Sequence, residues 1–153
     1  MLALKMVKVI EKHSEELAQG LLDKLQSSRY CSDMRKVPAE ELRRRSYEIY
    51  RNLGDWLVNK TEYDIEATFV EIARRRAAQG VALSHLLWAL LITKEHLWEF
   101  MQSERLADQV LELFGELELL WRVDHFFDRA LHCSARAYEE HAARPVSALA
   151  AAS

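Results

Sequence analysis

Six histidines are the residues of this chain with the widest chemical repertoire, and their spacing decides what they can do. A di-iron carboxylate bundle needs Glu-x-x-His twice, so that acid and imidazole project from one helix face. The residues three before His13, His85, His96, His125, His132 and His141 are Ile10, Ala82, Thr93, Arg122, Arg129 and Tyr138. None is an acid. No two histidines stand four apart, which removes the His-Glu-x-x-His zinc pattern. A metal site is therefore not expected. His85 and His96 share a helix face but lie about 16 Å apart along it, too far to hold one ion. Either can act alone as the proximal ligand of a haem in a globin-like fold, and a haem-binding gas or redox sensor is the alternative to a chain without cofactor. Ser84-His85-Leu86 lacks the acid that follows a phosphoacceptor histidine. Phosphate-cradling glycine loops and the Gly-x-Ser-x-Gly elbow are missing as well, so no catalysis is expected. His13 falls within an apolar stripe and reads as a core-edge histidine bonded to a carbonyl.

The elements that must carry these residues are helices. With 4 glycines and 2 prolines in 153 residues, half of them hydrophobic, the chain predicts long helices, few turns and one substantial core. A net charge of -3 gives no sign of a nucleic-acid surface, which would be markedly basic. Cys31 and Cys133 have no motif spacing. The N-terminal stretch is no signal peptide, which points to the cytoplasm. Met6, Val9, Ile10, Leu17, Leu21 and Leu25 predict one amphipathic helix over residues 2–27, followed by a loop over 27–36. Pro38 opens a second helix with Leu42, Ile49, Tyr50, Leu53, Trp56 and Leu57 inward. Thr61 caps a third, and Gly80 ends it in a left-handed turn. At least one of Arg74, Arg75 and Arg76 must lie at the core rim with a carboxylate partner.

Val81–Met101 holds the apolar run Leu86–Ile92 and predicts the central, buried helix of the bundle. Its interspersed charges exclude a membrane span. A last helix runs from about Arg105 to Arg144, where Pro145 stops it. Val110, Phe114, Leu117, Trp121, Phe127, Leu131 and Tyr138 mark its apolar side, widened by Leu113, Leu120 and Phe126. So long and so broad an apolar face predicts a homodimer in coiled-coil style. Tyr50, His85, Trp88, Trp98 and Trp121 are the candidate lining of a pocket for a small apolar ligand, although plain core packing is the simpler use of the aromatics. The expectation is an all-α, single-domain bundle of five to six helices over residues 1–144, with 145–153 a flexible tail.

Three strings, HSEELAQGLLDKL, VPAEELRRRSYEIYRNLGDWL and IARRRAAQGVALSHLLWALLITKEHLWEFM, resemble the N-terminal domain of RsbRD-type proteins, the RsbT co-antagonists of the stressosome. The likeness spans roughly residues 10–140, with Arg76-x-x-x-Gly80-Val81-x-Leu83 its most specific piece. It implies an all-α sensory domain shaped like a globin without haem, which dimerises and engages a regulatory protein partner. It also implies a corner set by Arg76 and Gly80, and an output helix carrying Phe127 to Tyr138. A plain structural dimer module is the second alternative.

Overall fold

The computed structural model describes residues 4–104 and 110–152. Among the described residues six α-helices succeed one another: α1 (Leu4–Lys12), α2 (Ser14–Ser27), α3 (Ala39–Arg51), α4 (Glu62–Ala78), α5 (Leu83–Ser103) and α6 (Val110–Ala152). Among the described residues there is no strand, and the all-α bundle with a long C-terminal helix is as expected.

Three boundaries differ from the sequence expectation. The first helix breaks at His13, whose backbone leaves the helical region (φ -98, ψ 19). There the ring Nδ1 donates to Val9 O at 2.8 Å, the carbonyl bond expected of it. The stretch expected as a loop is a 3-10 helix over Arg29–Lys36. Cys31, Met34 and Val37 are buried at intervals of three, which is the 3-10 repeat and not the α repeat. The second helix stops at Arg51, and Trp56 and Leu57 sit instead on a π-helical turn over Asp55–Asn59. Gly54 precedes that turn because α1 comes close: its N–H donates to Glu11 Oε1 at 3.0 Å, and a Cβ there would meet Val7 Cγ1 at 3.1 Å.

The capping signals act as read. Thr61 accepts from the Asp64 amide while the Asp64 carboxylate accepts from the Thr61 amide at 2.8 Å, a capping box. Gly80 lies at φ 83. Its N–H reaches Ala77 O and the Val81 N–H reaches Arg76 O, which closes α4 in a Schellman motif.

The core joins all six helices, and its aromatic centre is Phe69 on α4 against Phe126 on α6, 5.5 Å apart edge to face. Phe127 and Trp56 pack on Phe126 at 5.2 and 5.7 Å. Each of the buried phenylalanines Phe69, Phe126 and Phe127 contributes about 1.5–3 kcal/mol. Helix α6 runs alongside α4 in the same direction: Glu62 meets Arg129 at 3.2 Å and Arg74 meets Glu140 at 3.8 Å. It runs antiparallel to α5, with Lys94 on Asp124 at 3.3 Å and Tyr138 on Val81 at the far end.

Two expectations fail on burial and length. Within Leu86–Ile92 only Leu86 and Ala89 are fully buried, and Trp88 is exposed. Neighbours cover α5 on part of its circumference, so the run is a flank of the core and not its axis. Helix α6 continues through Pro145 to Ala152. A proline there forfeits one i to i-4 bond, a loss a long helix can absorb. The expected start of that helix near Arg105 lies outside the described residues.

Candidate functional site

Two adjoining surfaces of α6 distinguish this bundle from a closed one. The first is a groove of about 450 Å³ where α1, α5 and the start of α6 meet. Met6, Met101, Leu113, Leu117 and Leu120 make it apolar, with Trp98, Gln102 and Glu116 as its polar members. Trp98 is half-buried, and its indole nitrogen is sealed from solvent with no hydrogen-bond partner among the described residues. The Lys94 ammonium lies 5.5 Å from the Trp98 ring centre, on the way to its ion pair with Asp124.

The second surface is a stripe. Leu113, Phe114, Leu117 and Trp121 stand 38%, 64%, 51% and 63% exposed. Residues three, four and seven apart on a helix share a face. The stripe is therefore continuous with the groove, which uses Leu113 and Leu117 too. Trp121 stacks on His125 at 5.4 Å, and both line a smaller cavity with Trp56 and Ile65.

The candidate pocket residues do not converge. Only Trp98 lines the groove. Tyr50 is fully buried and donates to Thr93 O at 3.3 Å, and burial pushes its phenol up. Trp88 packs on Tyr30 at the surface, 4.9 Å between centroids. His85 Nδ1 accepts the Asp33 N–H at 3.0 Å, so a neutral ring carries its proton on Nε2. His96 Nε2 donates to Leu17 O at 3.0 Å, its Nδ1 is sealed with no hydrogen-bond partner among the described residues, and burial lowers its pKa toward the neutral form. Both haem-ligand candidates are thus engaged by backbone groups of neighbouring helical segments. Among the described residues no three His, Cys, Asp or Glu side chains are placed to hold a metal ion. Of the output-helix residues, Phe114 and Trp121 are on the stripe, Phe127 is in the core, and Tyr138 is half-buried.

The corner is held from three sides. Arg76 is 3% exposed and donates to Glu41 Oε1 at 2.7 Å and Gln79 Oε1 at 2.9 Å. Arg75 donates to the same carboxylate from outside, and together the two guanidinium groups hold Glu41 down at about 2. From the 3-10 segment, Asp33 Oδ2 accepts the Ala82 N–H at 2.9 Å and Lys36 Nζ donates to Gly80 O at 3.0 Å. The Ala82 amide is the chief reason the Asp33 carboxyl sits below its usual range. From α6, the Tyr138 hydroxyl donates to Val81 O at 2.7 Å, and burial raises that phenol to about 12. Sequence reading found Arg76 and Gly80 but missed Asp33, Lys36 and Glu41. All three reach the corner across more than thirty residues of chain, and no local pattern announces that.

Among the described residues, no helix is long and apolar enough to cross a membrane. A family model described as the RsbT co-antagonist protein rsbRD N-terminal domain matches residues 14–152. No curated protein and no solved structure matches the chain.

Proposed function

The chain belongs to the family of RsbT co-antagonist rsbRD N-terminal domains, and from that premise we propose that it is a cytoplasmic regulatory module that pairs with a second copy of itself along α6. As a pair it engages a regulatory protein of the RsbT type. The family is a regulatory stress-signalling one and not a known catalytic one.

The observation that carries the pairing is the exposed row Leu113, Phe114, Leu117 and Trp121. Contiguous apolar side chains of this size on one face are a surface that soluble chains cover. A second copy suits it because a stripe on one helix meets its own image in a two-fold pair, the commonest closed symmetry. Helix α6 also has length to spare. Its 43 residues make about 65 Å, against about 32 Å for the 21 residues of α5. The fourteen residues beyond Tyr138 add about 21 Å past the corner, room for a coiled-coil continuation that carries a change at the corner outward.

Light scattering across a dilution series tests this. The expected mass is twice 17.8 kDa at micromolar concentration and above. A single-chain mass at every concentration would overturn the pairing.

A further inference from the structure

We propose that His96 is a proton-operated latch between α2 and α5: the neutral ring closes the seam, and uptake of a proton on its Nδ1 releases the ring from Gly20 and opens it. The closed state is built around the missing side chain of Gly20. A Cβ there would stand 3.0 Å from Cε1 of the ring and 3.1 Å from Nε2, so the imidazole occupies the space a larger residue would take. In that position Nε2 donates to Leu17 O at 3.0 Å, and Nδ1 is sealed with no hydrogen-bond partner among the described residues.

A neutral ring with its proton on Nε2 presents only a lone pair at Nδ1. A protonated ring adds a second N–H and a full charge, and a buried site without a partner tolerates neither. Solvent does not reach Nδ1 while the seam is closed, so proton uptake and departure of the ring from Gly20 are one event. The charged groups facing the ring are Glu16 and Lys24 on α2 and Glu99 on α5. Lys24 and Glu99 pair across the seam at 2.5 Å. Glu16 and Glu99, with Phe100 and Ser103, line a groove of about 380 Å³ that reaches the ring, so a released imidazolium meets carboxylates there. His13, packed on Phe100 at 5.6 Å, is a further titratable group on this side. Burial, and after it the Lys24 charge, lowers the pKa of His96. A ring held neutral in this way supports the seam in full above its ordinary 6.5 and loses that support as pH falls through the lowered value.

The latch stands apart from self-pairing, since its readout is a contact within one chain. The test follows the full chain by NMR from neutral pH into mild acid. At neutral pH the His96 Hε1 proton should show a nuclear Overhauser contact to the Gly20 Hα protons. That contact should vanish with the same midpoint at which the ring titrates, below 6.5, while the contacts between Phe69 and Phe126 persist. Gly20→Ala, whose methyl group crowds the ring, should move the midpoint up toward 6.5. A protonated ring that keeps its contact to Gly20 would overturn the proposal, because the proton then enters without opening. So would loss of the Phe69 to Phe126 contacts together with the Gly20 contact, which is acid unfolding of the whole chain, or a ring still neutral when that happens. An unmoved midpoint in a folded Gly20→Ala chain would overturn it as well. If Gly20→Ala does not fold, the wild-type titration still decides.

Discussion

Arg76 on α4 donates to Glu41 on α3 across 2.7 Å from a guanidinium that is only 3% exposed, which ties the end of one helix to the start of another directly beneath the Gly80 turn. Removing one member of a buried charged pair leaves the other uncompensated, at a cost of about 3–5 kcal/mol. Arg75 and Gln79 also reach Glu41, so Arg76→Met should fall at the lower end, about 3 kcal/mol, in urea unfolding. Replacing both partners, Arg76→Met with Glu41→Leu, should recover much of that loss. A double variant no better than the single one would deny the pair its place in the corner.

The same carboxylate sets an acid limit. Glu41 ordinarily titrates at 4.5 and is held at about 2 in the fold. A depressed carboxylate stabilises the fold in full above its unfolded value and loses that contribution as pH falls through the folded one. Stability should therefore decline between pH 4.5 and about 2, and Glu41→Gln should flatten that part of the profile in thermal melts.

Tyr138 gives the alkaline counterpart. Its folded value of about 12 stands above the ordinary 10.0, so its contribution is intact below pH 10 and falls as pH rises toward 12. Ultraviolet titration should lose a step near pH 12 in Tyr138→Phe. Loss of the bond to Val81 O should itself cost about 1 kcal/mol at neutral pH.

Gly80 holds φ 83, and the nearest atom to a Cβ there is Lys36 Cδ at 3.8 Å. The strain of Gly80→Ala is therefore conformational and not a clash, about 1–2 kcal/mol. Gly80→Asn should cost less, since asparagine tolerates the left-handed region. Equal melting temperatures for the two variants would contradict this.

Local signals in the sequence were reliable where a few neighbouring residues decide the outcome. Thr61 with Asp64, and Gly80 after Gln79, are read from two or three positions and fold as read. Hydrophobic spacing told which face of α6 is apolar but not what lies against it. Phe127 thus went to the core and Phe114 to the surface from the same pattern. The break at His13 is silent because the apolar period continues across it. Leu86–Ile92 misled because hydropathy does not show on how many sides a helix has neighbours. Trp98 was one of several aromatics in sequence, and only the meeting of α1, α5 and α6 singles it out.

The proposed pairing of two copies runs along the exposed stripe on α6. Sedimentation equilibrium on a Leu117→Glu, Trp121→Glu variant measures it most directly. Both side chains are exposed, so each change should alter the stability of a single chain by no more than about 0.5 kcal/mol, and the helical circular dichroism should persist. Pairing along the stripe gives twice 17.8 kDa for the wild-type chain and 17.8 kDa for the variant. A folded variant that keeps the wild-type dimer mass would contradict it.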